Sequence, residues 1–187
     1  MTGRIFTADH HVYDLPPLLS WNVRHTGTVP CDSWSVTAVY QPEMLTVLRM
    51  AAGFAAIENG MTQLRGIVDE YTVELGSRGM TVTLSGRGYA ARLLDNESRP
   101  VTYEQVTLRE LIRCHAEPYG ISCEAAVDLR STVPYTAGVG ISQWKVISEF
   151  CRTYGGFLPR FAKTGELLAT PEPVSYTHLT LPTKLEV

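Results

Sequence analysis

Several short patterns in the chain place reactive residue types close together. Gly86-x-Gly88-x-x-Ala91, within the run S-G-R-G-Y-A-A-R-L-L-D-N-E-S from Ser85 to Ser98, has the glycine spacing of a turn that admits a dinucleotide pyrophosphate. Ser142-Gln143-Trp144-Lys145 matches S-x-x-K, in which a lysine activates a serine nucleophile, and Lys163-Thr164-Gly165 spells the K-T-G that accompanies it in some hydrolases. Asp69-Glu70 and Asp95-x-Glu97 are carboxylate pairs of the kind glycoside cleavage uses. Cys114-His115 sets a thiol beside a base.

Each pattern needs particular elements to position it. A dinucleotide site needs a buried parallel strand before the glycines, which reads as a continuous apolar run, and a second strand ending in an acid about 20 residues on. Met80-Thr81-Val82-Thr83-Leu84 alternates instead, as a half-exposed antiparallel strand does, and Pro100 to Gln105 offers no apolar strand. Gly86 and Gly88 are therefore expected to turn a tight strand-to-helix corner, with a positive φ at Gly88 as the conformation that would demand glycine there.

The remaining patterns also have plainer readings. Ser142 reads as a helix N-cap, and Lys163-Thr164-Gly165 as a turn between two short strands. Asp69 and Glu70, adjacent on a strand, point to opposite faces, and Asp95 reads as a helix end. Neighbours on a helix project about 100° apart, so Cys114 and His115 do not meet. Cys31, Cys114, Cys123 and Cys151 form no C-x-x-C pair, and His10, His11, His25, His115 and His178 lack metal-ligand spacing. Reduced, packed cysteines are expected. No catalytic, cofactor-binding or metal-ligating residue is assigned, and no cofactor.

The periodicity divides the chain. In the first part, Leu18 to His25 and Asp32 to Tyr40 read as strands, with Trp34, Val36, Ala38 and Tyr40 on one face. Glu43 to Ala51 reads as a short helix with Met44, Leu45 and Leu48 on one side. Phe54 to Glu58 then enters an Asn59-Gly60 hairpin, returns as a long strand from Thr62 to Glu74, and turns at Gly76–Gly79 into Met80 to Ser85. This meander is half of a small barrel or sandwich.

In the second part, Thr107-x-x-Glu110 is a capping box opening a helix that Pro118 and Gly120 end. Ser142 opens another, closed by Gly155-Gly156, and Phe157 to Ala162 with Glu166 to Ala169 forms a last hairpin. The fold class is α+β. An antiparallel β-barrel-like domain over 1–88 precedes a small α+β domain over 89–173.

Composition excludes some partners. Of the 187 residues, 44% are hydrophobic and 19% charged, the balance of a chain that can build a core. A net charge of −3, with lysines only at Lys145, Lys163 and Lys184, gives no basic patch for nucleic acid. No run is apolar and long enough to cross a bilayer, and Met1 to His11 lacks a signal peptide's apolar centre. Folding in the cytoplasm is the expectation, with no membrane partner.

A family resemblance rests on several separated segments together. These are P-C-D-S-W-S-V from Pro30, R-G-I-V-D-E-Y from Arg65, the Ser85 run, T-L-R-E-L-I-R-C-H-A-E-P-Y-G-I from Thr107 and I-S-Q-W-K-V-I-S-E-F-C from Ile141. In order, they resemble the phage baseplate hub proteins of the late control protein D family, over roughly residues 15 to 172. The resemblance implies a virion structural protein of the tail baseplate, assembled in the host cytoplasm. It implies a trimeric hub whose partners are itself and the tail tube, spike and tape-measure proteins.

Family members run to about twice this length, so the chain corresponds to the amino-terminal half. Residues 174–187 change character abruptly from Val174 and read as a non-native, adapter-derived tail. The alternatives are a tail-associated cell-wall hydrolase and a nucleotide-binding enzyme using Gly86, Gly88 and Ala91.

Overall fold

The computed structural model describes residues 1–26, 30–77 and 79–172; the segment 174–187 lies outside them. Up to Gly88 the chain forms one sheet of strands β1 (Thr2–Thr7), β2 (Val12–Asp14), β3 (Leu18–Arg24), β4 (Ser33–Val39), β5 (Ala51–Glu58), β6 (Met61–Gly76) and β7 (Gly79–Gly88). Their order is β2-β1-β5-β6-β7-β4-β3, and every neighbouring pair is antiparallel. β5, β6 and β7 are the expected meander. Asn59 and Gly60 make the hairpin between the first two with φ of 52° and 76°, the left-handed pair that the turn requires.

Alternation sets the faces. Trp34, Val36 and Ala38 of β4 are buried, as are Val82 and Leu84 of β7, while Ser35, Thr37, Thr81 and Thr83 turn to the other side. Ile5, Phe54 and Leu64 complete the apolar face with Met44 and Leu48 of helix α1 (Met44–Arg49). Leu45, expected beside them, is exposed; a helix this short buries only its i and i+4 positions.

Two features differ from the sequence reading. β1 and β2 are absent from the sequence expectation: in T-G-R-I-F-T the burial alternates and Ile5 is fully buried, but the polarity does not alternate, since Ile5 and Phe6 are adjacent. The sheet is also open. Among the described residues β2 and β3 end the order and do not pair with each other, so no closed barrel forms and the barrel-like expectation is corrected. Closure removes edges only when the two end strands meet, and here they do not.

The rest of the described chain surrounds a second core of Leu93, Leu108, Leu111, Ile121, Val146, Ile147, Phe150 and Leu167. It contains α2 (Ala91–Leu94), β8 (Val101–Tyr103), α3 (Leu108–His115), β9 (Cys123–Ala126), β10 (Tyr135–Ala137), α4 (Gln143–Phe150), β11 (Arg160–Phe161) and β12 (Leu167–Ala169). The capping box is present: the Thr107 hydroxyl accepts from the Glu110 amide at 3.3 Å, and the Glu110 carboxylate accepts from the Thr107 amide at 2.8 Å. Gly120, at φ 71°, ends the turn after α3.

Ser142 caps α4, its Oγ accepting from the Lys145 amide at 3.2 Å. Lys163-Thr164-Gly165 is the turn of the β11–β12 hairpin, with Gly165 at φ 88°. Unforeseen was the parallel pairing of β12 with β9, which brings two distant segments into one small sheet.

Candidate functional site

Gly86 and Gly88 lie inside β7, not at a corner, and neither has a positive φ. Gly86 is paired with Trp34 on one side and Val68 on the other. The indole of Trp34 reaches across Gly86 to stack on Phe54 of β5, with ring centroids 3.8 Å apart and planes inclined by 14°. Its Nε1 donates to the Ile67 carbonyl at 3.1 Å.

A Cβ at Gly86 would run into that same carbonyl and stand 2.9 Å from the indole. A Cβ at Gly66 would strike the Arg87 carbonyl, close to a bulge in β6 between Val68 and Glu70. The glycines serve close packing of backbone and ring. The corner follows them, at Tyr89 and Ala90, and Ala91 opens α2. The strand before the corner is antiparallel to both neighbours, so the dinucleotide arrangement is not formed.

The acidic residues are brought together in a way their spacing does not suggest. Arg87 donates from Nε and Nη2 to Asp69 at 2.8 and 3.0 Å, and from Nη1 and Nη2 to Asp95 at 3.0 and 2.8 Å. Asp69 stands at the bulge of β6, and Asp95 caps the C-terminus of α2. One guanidinium therefore ties the sheet to the first helix beyond it. Its hydrogen bonds hold the Asp95 carboxyl below the usual carboxylate range, and the two acids raise the guanidinium's own pKa.

Glu70 instead accepts from Ser85 Oγ at 3.0 Å, and Glu97 accepts from the Gly140 amide at 2.7 Å. An acid held ionised by arginine is a poor proton donor, which removes the general-acid half of a glycosidase pair from this position.

The Asp95 pKa carries a pH dependence. A folded-state pKa below the unfolded value adds stability above the unfolded pKa of about 4 and loses it as pH falls through the folded value. The pair is half-exposed, so its contribution is at most about 1 kcal/mol. Asp95→Asn should therefore lower the melting temperature slightly at pH 7 and by progressively less as the pH falls below 4 towards 2. An equal loss at both pH values would contradict the ion pair.

Cys114 and His115 point apart, as expected: Cys114 is exposed and His115 buried. His115 belongs instead to a hydrogen-bonded network in the second core. Its Nδ1 meets Gln143 Oε1 at 2.6 Å and its Nε2 meets the Tyr103 hydroxyl at 3.1 Å. Gln143 Nε2 donates to the Glu97 carbonyl at 3.0 Å and the Tyr119 hydroxyl at 2.8 Å. A neutral imidazole with its proton on Nδ1, accepting from Tyr103 at Nε2, satisfies every partner. Burial, with the nearby Cys114 thiol, pushes the Tyr103 hydroxyl up from its ordinary value. The network is fully hydrogen-bonded around the buried His115 and Gln143, with Tyr103 and Tyr119 half-buried at its ends, the arrangement of a structural element. Among the described residues no cluster of His, Cys, Asp and Glu could hold a metal ion.

Large apolar side chains are exposed at the end of the sheet and at one hairpin tip. β3 is an end strand, and Trp21, opposite Val36 on the core face, is 50% exposed because the core's cover ends there. At the tip of the β6–β7 hairpin Leu75 and Met80 pair across the strands, and Leu75 is 81% exposed. The sheet's other face is polar: Ser35, Ser85 and Glu70 stand in one row and Thr37, Thr83 and Thr72 in the next. Thr37 and Thr83 share a hydrogen bond at 3.1 Å.

Solved structures provide a match for this architecture. The tail protein from Neisseria meningitidis MC58 aligns with a TM-score of 0.65 and 14% identity over 89% of this chain and 50% of its own length. The 43 kDa tail protein of prophage MuSo2 from Shewanella oneidensis aligns with the same score and identity over 89% of this chain and 53% of its own. The chain has the fold of these tail proteins. It spans about half the length of each. No protein-family profile and no curated protein sequence matches it. Among the described residues no helix is long and apolar enough to cross a membrane.

Proposed function

We propose that the chain is a structural component of a phage or prophage tail, part of the baseplate hub that connects tail tube to spike. The observation that carries this reading is the shared fold with two tail proteins over nearly nine-tenths of the chain. Its work is assembly, and it needs no cofactor and turns over no substrate. The open sheet supports this, because among the described residues its end strands have a neighbour on one side only, and those edges and the half-covered Trp21 are surfaces that a neighbouring subunit would bury. The hydroxyl- and carboxylate-bearing face supports it too, since a wall that borders a lumen must stay wetted on one side.

In this reading the full-length protein is a homotrimer in the virion tail. Its contacts are with itself and with tube, spike and tape-measure proteins. The test is association. Light scattering on the chain alone should give a monomer or mixed species, and addition of the tube and spike proteins of the same phage should give a discrete complex. A chain that ignores both at high concentration, or that hydrolyses purified peptidoglycan, would overturn it.

A further inference from the structure

β6 is longer than its neighbour β5, and part of its edge has no strand beside it. β5 pairs with β6 no further than Ile67, whereas β6 runs on to Gly76 against β7 alone. We propose that this free edge, from Tyr71 to Leu75, takes an extended segment of a second protein as an added antiparallel strand, one that alternates apolar and basic residues. The edge is a property of the sheet itself, whatever the chain does in a tail.

The main-chain groups of the edge point outward. In an antiparallel ladder, opposed residues either bond each other or both turn away. Met80, opposite Leu75, turns away: its carbonyl accepts from the Tyr40 amide, on the β4 side, at 3.0 Å. Leu75 therefore turns its amide and carbonyl away from β7, to the open side. The register runs unbroken from Glu70 to Gly76, so Val73 and Tyr71, two and four residues back, turn outward as well. Among the described residues, none of the three has a main-chain hydrogen-bond partner on that side.

Side chains set the chemistry of the occupant. Tyr71 and Val73 pack against the first core, and Leu75 stands exposed beyond them on the same face, so the residues opposite must be apolar. On the other face Glu70, Thr72 and Glu74 line the edge, all exposed, and the facing Ser85, Thr83 and Thr81 carry no charge. Asp69 and Arg87 are paired with each other, Arg49 ends a helix packed on the apolar face, and Arg78 in the turn lies outside the described residues. A second copy paired edge to edge about Val73 would gather Glu70 and Glu74 of both chains on one face. Like charges so placed repel, whereas basic residues of another protein are matched to them.

The probe is a fluorescein-labelled peptide K-V-K-V-K-V, titrated with the whole chain and followed by anisotropy. It should bind about tenfold or more tighter than E-V-E-V-E-V, and Glu70→Lys with Glu74→Lys, both exposed, should keep the fold and reverse that order. N-methylation then separates the two edges of the peptide on the unaltered chain. Methyl groups on the valine amides, which face the carbonyls of Tyr71, Val73 and Leu75, should weaken binding about tenfold or more, and methyl groups on the lysine amides, which face solvent, by less than about twofold. Amide resonances of Tyr71, Val73 and Leu75 should shift on binding. Equal affinity for the two charged peptides, no binding of either, equal effects of the two methylation patterns, or self-association of the chain through this edge in place of peptide binding would each overturn the proposal.

Discussion

Gly86→Ala should lower stability by about 3 kcal/mol, or roughly 6–12 °C in melting temperature for a chain of this size. The added methyl meets the Ile67 carbonyl on one side and the Trp34 indole on the other, and neither has room to yield. The carbonyl is already the acceptor of the indole N–H, so moving it breaks that bond as well. The indole cannot swing away without losing its stack on Phe54 in the first core. Gly88→Ala is the control: its Cβ would approach only the Asp32 side chain, at 3.1 Å, and should cost about 1 kcal/mol or less. Thermal denaturation of both, with near-ultraviolet circular dichroism to follow the aromatic packing, decides the matter. Equal effects would show that Gly86 is not the position at which sheet and indole interlock.

The second large effect is expected in the other core. Gln143→Leu should cost roughly 2–4 kcal/mol despite its gain in apolar surface, because it leaves the His115 Nδ1–H, the Tyr119 hydroxyl and the Glu97 carbonyl without their partner. Tyr119→Phe removes one partner and leaves Gln143 with its other bonds, so a loss of about 1 kcal/mol is expected. Denaturant unfolding gives both values. A neutral Gln143→Leu would mean that the network is replaceable packing, in the manner of buried polar groups that hydrophobic residues can substitute.

Local signals were legible where the determinant is local. Asn59-Gly60, the Thr107 capping box and the Ser142 cap each act within four residues, and each is where the sequence places it. The alternation of Trp34, Val36 and Ala38 likewise reports a face directly.

Distance in the chain defeated the rest. Arg87 reaches back across a bulge to Asp69 and forward over the corner to Asp95, and no spacing rule brings those three together. Gly86 reads as a turn in the sequence because its demand for space comes from Trp34 and Ile67, both remote along the chain. The β9–β12 pairing links segments separated by β10, α4 and β11, and the sheet's open order depends on an N-terminal strand inserted beside β5. The missing barrel closure follows from the same cause: strand count and alternation do not say which strands end the order.

The tail reading is best tested by locating the protein. Tail particles from the phage or prophage that encodes it, labelled with a gold-conjugated antibody against this chain and viewed by electron microscopy, should carry label at the distal end of the tail, at the baseplate. Label absent from intact and mildly disrupted tails, with the protein recovered only in the soluble fraction of the lysate, would contradict a structural place in the tail.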